Sequence, residues 1–114
     1  MADAPDEPVA PAVEVAGEVR VAYADVDPMG VAYYGNYLRW FEVGRAELLR
    51  RRGKPYRQVE AEGHKLPIIE AYVRYRRPAR YDDLLLVHTR GALVGGARLR
   101  FDYRVARAGE QGTV

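Results

Sequence analysis

Two carboxylates, Asp25 and Asp27, stand two residues apart in the segment Tyr23-Ala-Asp-Val-Asp-Pro-Met-Gly-Val-Ala-Tyr-Tyr-Gly-Asn-Tyr37. In an extended backbone, side chains two apart project to one face, so both carboxylates can serve one side of a site unless the turn has already begun at Pro28. A helical pattern begins soon afterwards, at Tyr37. The start of a helix offers amides with no partner inside the helix and the positive end of the macrodipole, which polarise a carbonyl and hold a developing oxyanion. A carboxylate beside such amides is sufficient for acyl transfer.

Each of these residues also has a purely structural use. Asp25 suits a turn or cap acceptor, and that use outweighs direct chemistry for it. Asn36 and Tyr37 suit the start and packing of the helix, with Asn36 as a cap. Asp27-Pro28 taken alone is a turn former. The spacing Asp25-x-Asp27-x-x-Gly30 imitates the start of a calcium loop, but Pro28 and Met29 do not fit and the twelfth position is Asn36, where a bidentate Glu is needed. No metal site is expected. A Gly-x-Ser-x-Gly elbow and a phosphate-binding loop are both missing from the sequence, and with no cysteine there is no thiol nucleophile or disulfide framework. His64 and His88 fall far from Asp27, in a predicted loop and a predicted strand, and read as surface or packing residues.

The elements that must position these groups follow from period and punctuation. Residues 1–16 are rich in Ala, Pro and acidic side chains and have no helical or strand period, so they read as a disordered tail ahead of one domain, 17–114. Val19, Val21 and Tyr23 alternate with Arg20, Ala22 and Ala24, predicting a strand from about Glu18 into the Asp-rich turn. Tyr37 to Arg52 predicts the one substantial helix, with Leu38, Phe41, Arg45 and Leu48 or Leu49 on one stripe and Gly53 ending it. Gly44, in mid-helix, points to a strand crossing close beneath. Strands are predicted at Ile68 to Arg77, Leu84 to Arg90 and Arg98 to Arg107, with turns at Tyr81-Asp82-Asp83 and Gly95-Gly96. A last turn at Ala108-Gly109-Glu110 starts a further hairpin, and the sequence reads as lacking its last strand or strands. One helix and several antiparallel strands give an α+β fold, a curved antiparallel sheet wrapped around the helix, that gains from pairing with a second copy.

The chain of 114 residues with 48% hydrophobic residues is one domain's worth. Asp3, Asp6, Glu7 and Glu14 hold all the charge of the first 16 residues, and without them 18 basic residues face 12 acidic ones. That balance suits a phosphate-bearing partner or a solvated basic surface. Arg50, Arg51, Arg52 and Lys54 close the helix, where cations meet the dipole favourably, and no nucleic-acid-binding signature accompanies them. No apolar run is long enough to span a bilayer and no signal-peptide pattern is present, so a cytoplasmic protein without membrane insertion is expected.

The motif Asp25-Val-Asp27-Pro-Met-Gly30-Val-Ala-Tyr33-Tyr34-Gly-Asn36-Tyr37, followed by Leu-Arg-Trp-Phe-Glu42, resembles that of the 4-hydroxybenzoyl-CoA thioesterases and the acyl-CoA thioesterases that accompany the Tol-Pal envelope system. The resemblance continues through Arg45, Pro67 and Tyr81-Asp82-Asp83 to the last strand. It implies a hotdog fold that hydrolyses the thioester of a short-chain or aromatic acyl-CoA, as a homodimer or homotetramer. It implies Asp27 as the catalytic carboxylate, either nucleophile or general base, and the backbone N–H of Tyr34 as the group that polarises the carbonyl. Gly30 would let the turn run close to the ligand, and Asn36 joins it among the substrate-binding residues. The Tol-Pal-associated branch commonly has His where this chain has Tyr34, which leaves the backbone role intact. Coenzyme A is then part of the substrate and no cofactor is needed. Its phosphates call for basic residues, of which Arg98 is the choice, ahead of Arg100, Arg76, Arg77 and Arg80. A non-catalytic acyl-CoA or acyl-carrier-protein binding module of the same fold is the alternative.

Overall fold

The computed structural model describes residues 13–53, 56–63, 67–95, 98–110 and 112–114. Its elements run β1 (Val13–Arg20), a single 3-10 turn at Tyr23–Asp25, α1 (Asn36–Arg51), α2 (Tyr56–Ala61), β2 (Leu84–Gly95) and β3 (Arg98–Arg107). Among the described residues the strands form one three-stranded antiparallel sheet in the order β1-β2-β3. The period-two pattern decides its faces. Val19 pairs with Leu85 and Gly17 with Val87 across β1 and β2, while Val87 meets Val105 and Thr89 meets Tyr103 across β2 and β3. Leu85, Val87 and Thr89 are fully buried. His88, Arg90, Asp102 and Arg104 belong to the opposite, polar face.

The helix lies on the apolar face through Tyr37, Trp40, Gly44 and Leu48, all buried and spaced three or four apart. This stripe is rotated from the one expected, since Leu38 remains 49% exposed. Trp40 is the reason: the largest side chain of the helix is also its most deeply buried, and its burial sets the rotation. It packs with Val21, Ala79, Leu85, Val87, Val105 and Val114. Full burial of Leu85 and Val87 contributes about 1.5–3 kcal/mol each relative to leaving them in water. Gly44 does admit a crossing strand, because a Cβ there would lie 2.2 Å from Thr89 Oγ1 and 2.9 Å from Val87 Cγ1. Gly53, at φ 82°, lies just beyond the helix, as its type and place predict.

Several elements differ from the sequence reading, and β1 stops at Arg20, short of the predicted Tyr23. β1 begins at Val13, so the strand takes in residues assigned to the tail, and residues 1–12 lie outside the described residues. β2 continues past Arg90 to Gly95, and α2 was not anticipated. The stretch from Ile68 to Arg77 belongs to no strand, and Ile68, Ile69, Tyr72 and Tyr75 are exposed. Composition there favours a strand, but a strand also needs a neighbouring ladder, and among the described residues none lies alongside. Beyond it Arg80 makes a single bridge to Val31, and after the turn at Gly109 Thr113 bridges back to Ala106.

Candidate functional site

Asp27 opens a tight turn that Gly30, at φ 81°, closes. The Asp27 amide donates to Val31 O at 2.9 Å, and the Gly30 amide donates to Asp27 O at 2.9 Å. Val26 and Ala32 bridge behind it, forming a miniature hairpin. Asp27 Oδ1 accepts the Met29 amide at 2.9 Å. The aspartate is therefore a turn former in its local geometry, half-buried, and among the described residues Oδ2 has no hydrogen-bond partner.

Asp25 sits deeper and is fully engaged. Its Oδ2 accepts the Ala22 amide at 2.9 Å and its Oδ1 accepts Arg39 Nη2 at 2.6 Å. Its side chain is 11% exposed while that of Arg39 is 53% exposed, so the pair reaches from the interior to the surface. Helical spacing alone turns Arg39 towards solvent. The available signal was its place in the first turns of α1, where a cation opposes the helix dipole unless an anion faces it.

The start of α1 is tied to the same turn. Tyr33 N and Asn36 Nδ2 both donate to the Asp25 carbonyl, at 2.9 Å and 2.8 Å. Asn36 is thus the first helical residue and a brace, whereas the cap position is Gly35, which has no side chain to cap with. A Cβ on Gly35 would lie 2.7 Å from the Tyr33 ring. Among the described residues the Tyr34 and Gly35 amides have no acceptor. Tyr34 O accepts the Tyr75 hydroxyl at 3.2 Å.

Beside Tyr34 opens a cleft of about 260 Å³ lined by Ala32, Tyr34, Tyr37, Tyr75, Arg76, Arg77 and Pro78. Tyr75 meets Tyr34 and Tyr37 edge-on, with ring centroids 6.2 Å and 5.1 Å apart. Burial pushes the Tyr37 phenol up, opposed by its hydrogen bond to the Ala79 backbone. Asp27 does not line this cleft. It is joined to it through Val31 and Ala32, whose partners Arg80 and Ala79 follow the cleft residue Pro78.

The structure keeps Arg98 away from these groups. Arg98 begins β3 beside Gly95, whereas Arg107 at the far end touches Pro78. Nine residues of strand at about 3.3 Å each separate those ends, roughly 30 Å. Within one chain Arg98 therefore does not join Asp27, and Arg76 and Arg77 are the arginines at the cleft. Hairpin length produced the discrepancy, because β2 runs further than its apolar pattern indicates. His88 lies on the polar sheet face, and His64 lies outside the described residues.

A family model described as Thioesterase superfamily matches residues 29–113. YneP of Bacillus subtilis is 39% identical over 72 residues, covering 63% of this chain and 52% of YneP. The Escherichia coli O157:H7 protein named acyl-CoA thioester hydrolase YbgC is 34% identical over 90 residues, covering 79% of this chain and 67% of YbgC. The solved structure of TT1821 from Thermus thermophilus superposes with a TM-score of 0.81 at 38% identity, covering 85% of this chain and 74% of that one. The chain spans about half the length of YneP.

Proposed function

The chain belongs to the thioesterase superfamily and has its α+β hotdog fold, and from that premise we propose that it hydrolyses the thioester of a short-chain or aromatic acyl-CoA. Asp27 supplies the carboxylate and the Tyr34 N–H polarises the thioester carbonyl. Gly30 and Asn36 hold the two in register, and a homodimer or homotetramer in the cytoplasm completes the cleft walls. The observation that carries the reading is the double anchorage of the Asp25 carbonyl, which ties the Asp27 turn to a helix start whose Tyr34 amide has no acceptor among the described residues. An amide fixed in that way costs no reorganisation as negative charge develops on the carbonyl oxygen.

Two routes fit. An Asp27 oxygen attacks the carbonyl carbon, the carbon–sulfur bond breaks, the thiolate leaves and takes a proton from water, and a second water hydrolyses the resulting anhydride. Alternatively, Asp27 takes a proton from water as the hydroxide attacks, and the departing thiolate then recovers a proton. A panel of acyl-CoAs assayed with a thiol reagent tests the activity. Hydrolysis of aliphatic or aryl members supports it, and no release above background from any of them contradicts it. In a single turnover in oxygen-18 water, label in Asp27 identifies direct attack, because water adding to the aspartyl carbonyl of the anhydride leaves it there and the general-base route does not; hydroxylamine trapping of the anhydride covers addition at the acyl carbon. The contact between Asp27 Oδ1 and Met29 favours, as a second reading, a non-catalytic acyl-CoA or acyl-carrier-protein binding module, for which tight ligand binding without thiol release is the expected result.

A further inference from the structure

Arg107 is the last residue of β3, and its guanidinium reaches three groups outside the sheet. Nε donates to Asp83 Oδ2 at 2.9 Å, Nη1 donates to Glu110 Oε2 at 3.3 Å, and Nη2 donates to the Pro78 carbonyl. Asp83 Oδ2 also accepts the Arg80 amide at 2.8 Å. The strap from Pro78 to Asp83 is therefore gripped at both ends by one arginine. Its middle holds the carboxylate turn: Ala32 N donates to Ala79 O at 2.7 Å, Arg80 bridges Val31, and Val31 O receives the Asp27 amide at 2.9 Å. Asp83 also closes onto Val21 in the core, with Val21 N donating to Asp83 O at 2.9 Å.

We propose that Arg107, with Asp83, is a positioning residue for Asp27: the pair fixes the strap against the sheet, and the strap fixes the height of the Asp27 turn relative to the helix start. The inference rests on the thioesterase reading for its catalytic consequence but not for its mechanical one. Neither side chain is placed at the reacting atoms. The grip is partly sheltered, with Arg107 19% and Asp83 24% exposed, which protects it from full solvent screening. A planar guanidinium is required because one ammonium cannot span Asp83, Glu110 and the Pro78 carbonyl in a fixed fork. Pro78, whose carbonyl accepts Arg107 Nη2, also lines the cleft beside Tyr37 and Tyr75, so the grip borders the aromatic wall.

The test compares the full chain with Arg107→Met, Arg107→Lys and Asp83→Asn, with Arg104→Met as a surface control on the same strand. The readouts are steady-state hydrolysis of acyl-CoA and residue-resolved amide exchange. Expected results are a fall in kcat of about tenfold or more for Arg107→Met, KM within about threefold of wild type, and partial recovery in Arg107→Lys, which keeps the charge. Exchange should accelerate at the Asp27 and Ala32 amides while the β1–β2 ladder keeps its protection. Wild-type kcat in Arg107→Met, or exchange that accelerates equally across the sheet, overturns the proposal. If the wild type hydrolyses no acyl-CoA but the exchange change is local, the thioesterase reading fails and the positioning role stands. Asp83→Asn removes the same charge pair with little change of volume and gives the same readout should Arg107→Met not fold.

Discussion

The side-chain amide of Asn36 donates to the backbone carbonyl of Asp25 at 2.8 Å, and that carbonyl also accepts the Tyr33 amide. Through this one oxygen the first helical residue holds the turn that presents Asp27. Asn36→Ala removes the brace without orphaning the carbonyl, so the expected stability loss is only about 0.5–1.5 kcal/mol, with a larger relative loss of turnover. Asn36→Asp is the sharper comparison. A carboxylate there favours the helix dipole but confronts the Asp25 carbonyl, so turnover should fall below that of the alanine variant. Thermal unfolding alongside kcat for both variants checks this; equal kcat in all three proteins would remove Asn36 from the site.

Gly44 tests how tightly α1 is seated. Alanine favours a helix over glycine, yet its methyl would lie 2.2 Å from Thr89 Oγ1, a buried hydroxyl with no hydrogen-bond partner among the described residues. Overpacking should win, giving Gly44→Ala a net loss of about 1–2 kcal/mol. Thr89→Ala in that background should recover part of the loss, whereas Thr89→Ser, which keeps the oxygen, should not. Urea unfolding of the two double variants decides between close packing and a general helix effect.

Asp83 sets an acid dependence. Burial pushes its carboxyl up, but the Arg80 amide and the Arg107 guanidinium together more than offset this and leave it below the usual 3.8. The folded chain thus favours the charged form more than the unfolded chain does, so the stabilisation is complete above 3.8 and is lost as pH falls through the lower folded value. Wild type should exceed Asp83→Asn in urea midpoint at about pH 6, with the gap narrowing towards about pH 3. A gap that widens on acidification would contradict the sign.

Much of this was legible in residue types. The alternation from Arg98 to Arg107 gives β3 at its observed bounds, and Gly44 announces a close strand because mid-helix glycine has little other use. Asp25 as an acceptor also follows from chemistry and spacing, whereas Gly30 in the turn follows from the family resemblance. What failed depends on partners far away in sequence. Ile68 to Arg77 has the composition of a strand, but the ladder that defines one is a property of the neighbour. Leu38 looked like core until Trp40 set the rotation of the helix. The length of the β2–β3 hairpin, which sets where Arg98 stands within one chain, is likewise not written in its local pattern. Arg107 read only as one polar residue at a strand's end, since nothing local reveals that its guanidinium meets Pro78, Asp83 and Glu110 together.

The most direct test is the rate of thioester cleavage by Asp27→Asn under single-turnover conditions, with acyl-CoA binding measured on the same preparation. Asparagine keeps an oxygen that can accept the Met29 amide and so preserves the turn. The expected result is unchanged affinity and unfolding midpoint with cleavage slowed at least about a hundredfold, the scale of a lost acid–base or nucleophilic group. Cleavage within a few-fold of wild type, in a folded variant that binds normally, would contradict the assignment of Asp27 as the catalytic carboxylate.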